Sequence, residues 1–318
     1  MRFLALLATS LPLLAATGPA AAAAPGAPHV PAGVTAGYVV FDRQAGGVTS
    51  HRNAHRRFRS ASVVKILIAI DFLETRRSVS RSDLALLRVM LRVSDDDAAT
   101  SFWTRGGRGR IIERTARRLR LTDTSPPPAD LPGFWGYTSI SALDIARTYR
   151  YLLDDADPKV SGLILGHLRK AGQCGSDGFD QYFGIPRGVA RPWAVKQGWS
   201  GYGSTPPVRC DRTPASAPAS TSTPASAPAS PSAPASAQAS TSTSAPAPAT
   251  AAPGRSATAG PVPDLGRPVL HTTGLVGPEE RWIMVLLTAH PSGATWQRST
   301  TQVTKLAKEV HLSGTRRP

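Results

Sequence analysis

Between Val63 and Leu73 nearly every residue is apolar, on all sides of the helix that this run predicts. A helix without a polar face belongs at the centre of a packed core. Polar groups mark its ends: Ser62 at its mouth, Lys65 one turn in, and Asp71 near its close. Upstream, Gly37 to Phe41 and Gly47 to His51 predict a hairpin about Asp42-Arg43-Gln44-Ala45-Gly46. Downstream come helices from Ser82-Asp83 to Arg92, from Asp96 to Thr104, and from Arg110 to Leu121. In the last of these, Ile111, Ile112, Ala116 and Leu119 oppose a row of arginines. A Pro-rich turn from Thr122 to Pro132 breaks the pattern. Ser141-Ala142-Leu143-Asp144 is a capping box that opens a helix through Leu153, and Val160 to Lys170 forms another. A strand begins at Ala194-Val195-Lys196. Two further strands, Val269 to Leu275 and Arg281 to Ala289, and a helix from Trp296 to Leu312 close the pattern.

Two strands, a run of helices, then three strands and a terminal helix predict an α/β three-layer sandwich whose sheet is assembled from both chain ends. One tract interrupts it. Residues 213–262 are almost wholly Ala, Pro, Ser and Thr, which cannot bury a core and predicts a disordered, extended segment. Residues 263–318 supply two strands and one helix, too little for an independent domain. The expectation is therefore a single domain, 25–212 plus 263–318, carrying 213–262 as an insertion. Lengthening a connection tenfold costs only about 2 kcal/mol of closure entropy.

The first residues change the setting. Arg2, an apolar run from Phe3 to Ala16 and small residues through Ala24 predict a signal peptide, 1–24, too short in its core to span a membrane. Export makes the only two cysteines, Cys174 and Cys210, an expected disulfide. The net charge of +16 would suggest nucleic acid in an intracellular chain; in a secreted one it leaves anionic cell-wall polymers or membrane surfaces. Arginine-rich codon usage accounts for the same charge without any partner. His51 and His55, four apart in a turn, have no neighbouring cysteine or carboxylate in sequence, so no metal site is expected.

The chemistry starts from Ser62 and Lys65. Their spacing puts hydroxyl and amine on neighbouring faces of one turn, and a desolvated amine there can act as a base toward the serine. Ser-x-x-Lys alone is common. Here it is followed by Ser94-Asp95-Asp96 and then, at the start of a strand, by Lys196-Gln197-Gly198. This ordered set resembles the S-x-x-K, S-D-N and K-T-G signature of the serine β-lactamases and penicillin-binding proteins (DD-peptidases), with class A β-lactamase-like features. The resemblance spans the chain apart from the signal and the insertion. It implies a β-lactamase/transpeptidase-like fold with an antiparallel sheet and an inserted helical region. It also implies a serine hydrolase that works without cofactor, as a monomer, on β-lactams or D-alanyl peptides of peptidoglycan.

Residue by residue, the resemblance implies that Ser62 is the nucleophile, Lys65 the general base, and Ser94 the proton relay to the leaving nitrogen. Lys196 would hold Ser94 and attract the substrate carboxylate. Gly198 would keep the strand edge clear, and the backbone N–H groups of Ser62 and Trp199 would form the oxyanion site. Three departures bear on mechanism. Asp96 stands where the family has Asn, favouring the charged form of Lys65 and opposing its work as a base. Gln197 stands where Thr or Ser offers a hydroxyl, and would reach the substrate carboxylate with its amide. The loop from Thr122 to Trp135 holds no Glu for deacylation, with Asp130 as the only carboxylate near its centre. The expected behaviour is acylation of Ser62 with slow deacylation. The rivals are an efficient class A-like β-lactamase using Asp130 or another group, and a catalytically inert wall-binding or regulatory module.

Overall fold

The computed structural model describes residues 27–211 and 262–316. The expected signal segment and residues 213–261 of the low-complexity tract lie outside the described residues.

A five-stranded, wholly antiparallel sheet runs in the order β2-β1-β7-β6-β5. Its strands are β1 (Thr35–Asp42), β2 (Gly47–Arg52), β5 (Trp193–Ser200), β6 (Val269–Val276) and β7 (Trp282–Ala289). The predicted hairpin is β1–β2, with Val39 opposite His51. β5 and β6 flank the undescribed tract and pair directly, Lys196 opposite Thr273 and Gly198 opposite His271. Strands from both ends of the chain thus form one sheet. β1, β6 and β7 are buried on both sides because each face is covered; β6 nevertheless carries the polar run His271-Thr272-Thr273.

One face carries α8 (Trp296–Thr315), packed through Val303, Leu306, Ala307 and Val310 against Tyr38, Val40, Leu270 and Met284. The other face carries the helical layer: α1 (Lys65–Glu74), α2 (Arg81–Arg92), α3 (Asp96–Arg105), α4 (Gly109–Leu119), α5 (Ala142–Asp154) and α6 (Pro158–Leu168). Every residue of α1 from Lys65 to Leu73 is buried, which is what an all-round apolar sequence requires. Local chemistry sets the helix starts. The side chains of Ser80, Asp95 and Ser141 accept from the N–H groups of Asp83, Ala98 and Asp144. Asp95, the neighbour of Ser94, is thus the cap of α3.

The sequence pattern missed three short elements. β3 (Phe58–Arg59) and β4 (Ser139–Ile140) form a two-stranded ribbon beside the Ser62 turn, and α7 (Ile185–Gly188) precedes β5. They are too short to carry a hydrophobic period. Cys174 and Cys210 are bonded, their Cα atoms 5.4 Å apart.

Candidate active site

Ser62 does not start α1 directly. It lies in a 3₁₀ turn, Ala61–Val64, that leads into the helix. Ala61 takes a left-handed φ of 44°, and Ser94 likewise has φ 59°. Such backbone is held only where the surroundings over-determine it. Ser60 supplies part of that constraint: its N–H donates to Thr138 O (2.8 Å) and its hydroxyl to Gly136 O (3.3 Å). On the opposite side, β5 lies flat against the turn. A Cβ on Gly198 would sit 3.1 Å from both Ser60 O and Val63 N, so any side chain there would crowd the turn.

Four predicted residues converge. Lys65 Nζ, with no solvent exposure, donates to Ser94 O (2.6 Å) and approaches Ser94 Oγ (3.4 Å). Lys196 Nζ donates to the same hydroxyl at 2.7 Å and to its neighbour's carbonyl, Gln197 O, at 3.0 Å. Ser94 Oγ therefore stands between two buried amines. Ser62 is only 6 % exposed, yet its hydroxyl has no hydrogen-bond partner among the described residues. It opens into a cavity of about 370 Å³ lined by Asp96, Thr100, Phe134, Trp135, Tyr137, Asp177, Trp199 and Ser200. A larger concavity of about 520 Å³ lies between α7 and α8, but holds no candidate nucleophile.

The amines are electrostatically unusual. Burial pulls the pKa of Lys65 below the ordinary lysine value; Asp96, with Oδ1 at 2.5 Å, pulls it back up without cancelling the shift. Burial, then the charge of Lys65, holds Lys196 well below its ordinary value. Asp96 thus opposes the neutral amine as expected, but desolvation dominates. Its own side chain is 67 % exposed, so it ties Lys65 to the cavity mouth and not to the core. Above Lys65 lies the Trp135 ring, 4.7 Å from Nζ, positioned by a hydrogen bond from Trp135 Nε1 to Thr100 Oγ1 (3.1 Å).

One expectation fails, and one rival reading loses its candidate residue. Gln197 does not reach the cavity: its amide is buried on the α8 side and donates to Phe183 O at 2.6 Å. Strand alternation is the reason. Lys196 and Gly198 point toward the Ser62 turn, so Gln197 must point away. Asp130 is exposed and does not line the cavity, which removes it as the stand-in for the missing Glu. Trp199 does line it, its indole N–H donating to Asp177 Oδ2 at 3.0 Å.

Asp177 is the residue that sequence reasoning missed. It lies in the loop after α6, pinned by the disulfide: Gly175 N–H donates to Phe179 O, and Cys210 N–H to Gly178 O, both at 2.8 Å. Burial raises its pKa, and the neighbouring charge of Asp96 adds to the effect. The far side of the undescribed tract is tied nearby as well. Buried Arg59 donates to Asp264 O and Arg267 O, both at 2.7 Å, and to Ser200 O on the cavity rim at 3.4 Å. His55, expected to lack a carboxylate, meets Asp123 at 2.9 Å; neither lines the serine pocket.

No protein-family model matches the chain. Among curated proteins, those named "Putative lipoprotein LppW" from Mycobacterium bovis and Mycobacterium tuberculosis are 39% identical over 175 residues, covering 52% of this chain and 54% of each relative. The chain thus matches about half the length of these relatives. Solved structures align over far more of it. PBP-A superposes with a TM-score of 0.53 at 13% identity, covering 89% of this chain and 91% of that one. A class A β-lactamase from Mycobacterium abscessus gives 0.52 at 15% identity, covering 88% and 94%. A β-lactamase from Sphaerobacter thermophilus gives 0.53 at 15% identity, covering 90% and 94%. The helical layer and the antiparallel sheet share the fold of PBP-A and of these class A β-lactamases.

Proposed function

We propose that this protein is an exported serine acyltransferase or hydrolase that forms an acyl-enzyme on Ser62 with β-lactams or D-alanyl peptides and deacylates slowly. The observation that carries the reading is the convergence of two buried amines on Ser94 Oγ beside an unpartnered serine hydroxyl. Residues 25–212 and 263–318 act as one domain, with 213–262 inserted in the chain between β5 and β6.

In the proposed reaction, Ser62 Oγ attacks the substrate carbonyl carbon while neutral Lys65 takes its proton. The developing oxyanion is met by the backbone N–H groups of Ser62, in the 3₁₀ turn that leads into α1, and of Trp199. Ser94 Oγ, linked to both lysines, passes a proton to the leaving nitrogen as the C–N bond breaks. The acyl group then remains esterified to Ser62. Its hydrolysis needs a base for water, and the loop side of the cavity offers Phe134, Trp135 and Tyr137 in place of a carboxylate. A variant of PBP-A, similar in fold at a TM-score of 0.54, was solved as an acyl-enzyme complex with penicillin G, which is consistent with this reading.

One observation favours a second reading. The 2.5 Å contact between Lys65 and Asp96 suits an ammonium held permanently charged, as an inert wall-binding module would have it. Incubation of the mature protein with a chromogenic cephalosporin and a fluorescent penicillin, beside Ser62→Ala, separates the possibilities. A single stoichiometric label, absent from the variant, and little turnover is the expected result. Sustained turnover would make it an efficient β-lactamase, and no label would make it the inert module.

A further inference from the structure

We propose that the turn between α1 and α2 binds a linear phosphate-bearing polymer through the arginines gathered around it. The surface lies at the far end of α1 from Ser62, roughly 14 Å along the helix from Lys65. The proposal goes beyond the acyl-transfer reading and does not depend on it.

The turn from Thr75 to Ser80 is flanked by two hollows. One, of about 580 Å³, is completed by Arg105 and Arg114; the other, of about 800 Å³, by Arg118 and Lys159 among others. Both include Arg76, Arg77 and Ser78, and neither shares a residue with the Ser62 cavity. Six cations therefore face two adjoining hollows.

The carboxylates nearby are spent inside the fold. Asp71 takes Arg114, and Glu74 takes Arg118 together with the Tyr151 hydroxyl. Asp83 takes Arg105 at 2.8 Å and the Ser80 hydroxyl at 3.0 Å. Asp157 accepts from Lys159 N–H at 2.8 Å, at the start of α6. Glu113 is exposed on α4 and lines neither hollow, and the smaller hollow has no carboxylate in its lining. Arg76, Arg77 and Lys159 have no carboxylate partner among the described residues.

Several of these guanidinium groups are held in place before any ligand arrives. Phe72 and Phe102 pack with ring centroids 4.4 Å apart, and Arg76 lies over the first and Arg105 over the second, each 4.8 Å from the centroid. Arg114 is gripped by Asp71 and by Gly106 O, all at 2.7 Å. A stacked or gripped guanidinium keeps spare N–H donors and loses little freedom on binding. Donors that reach in from α3, α4, α6 and the turn meet an anion from several directions. That suits the tetrahedral oxygens of phosphate better than a carboxylate, whose two oxygens take a single fork. Cations recessed on either side of a turn suit a thread better than a flat bilayer.

The test titrates the full mature chain into a fluorescent short-chain polyphosphate, read by anisotropy at about 0.15 M salt. Arg76→Ser/Arg77→Ser should weaken binding about tenfold or more and flatten its salt dependence. Arg52→Ser/Arg298→Ser removes the same charge from β2 and α8, and should change affinity by less than about twofold. Equal losses in the two pairs would reduce the attraction to net charge and overturn the proposal, as would no binding by the parent chain. Polyglutamate of matched length should bind more weakly; equal affinity would overturn the phosphate assignment. Phosphatidylglycerol vesicles form the last arm. Tighter binding to them than to polyphosphate, lost with Arg76 and Arg77, would make the turn a membrane contact and sink the polymer proposal.

Discussion

Helix α1 buries a charge at each end, and the two ends treat it differently. At its C-terminal end Asp71 is 2 % exposed and receives Arg114 as a two-pronged pair, Nε and one terminal nitrogen each at 2.7 Å. That pair locks α1 to α4, and Arg114 also donates to Gly106 O, at the end of α3, at 2.7 Å. At the N-terminal end Lys65 is fully buried, but its carboxylate partner stands in solvent and its serine neighbour has no partner. The first arrangement is closed: each charge is matched inside the fold. The second is open toward a cavity, and its unsatisfied groups are those an acyl-transfer reaction would use. A buried charge alone does not mark a site; what its partner faces does.

The sharpest way to break this comparison is to remove each charge in turn. Lys65→Met should slow labelling of Ser62 by fluorescent penicillin by about a thousandfold, the scale of losing a proton acceptor. Stability should hold or rise, because the burial cost of an amine disappears and Asp96 is already solvated. Arg114→Met should do the reverse. It strands Asp71 in the core and should lower unfolding free energy by about 3–5 kcal/mol, read from urea denaturation. If Lys65→Met destabilised as much as Arg114→Met, the two ends would be equivalent and the contrast would be wrong.

A smaller effect tests the disulfide that holds the Asp177 loop to the cavity. The bridge closes a separation of 36 residues, for which chain entropy suggests about 3–4 kcal/mol. Cys174→Ser/Cys210→Ser should lose roughly that much stability by denaturant melting. Acylation of Ser62 should change far less than in Lys65→Met, because Lys65, Ser94 and Lys196 are tied without this loop.

Much of this arrangement was legible in the sequence, for identifiable reasons. Ser62, Lys65, Ser94, Lys196 and Gly198 stand on or beside regular elements whose hydrophobic periods locate them, so spacing translated into proximity. The capping box at Ser141 announced the start of α5, where the Ser141 side chain accepts from Asp144 N–H. Gln197 was misjudged because the three-residue motif was treated as one surface, whereas alternation along β5 sends its middle side chain to the α8 face. Asp177 was invisible for another reason. It sits in a loop without periodicity and reaches the cavity through a disulfide, tight turns and the Trp199 indole, contacts between residues far apart in the chain. Arg114 meets Asp71 across 43 positions, and nothing local in either segment foretells that pairing.

The account turns on whether Lys65 can be neutral beside Asp96, and the pH dependence of acylation measures this directly. Neutral amine is the active form, so the rate of Ser62 labelling should rise with pH and level off at a midpoint below the ordinary lysine value, because burial depresses the pKa. Asp96→Asn removes the carboxylate that raises it; the midpoint should then fall by about one pH unit or more, with faster labelling at neutral pH. A midpoint in the ordinary lysine range, or one that stays put or rises in Asp96→Asn, would contradict the assignment of Lys65 as the base.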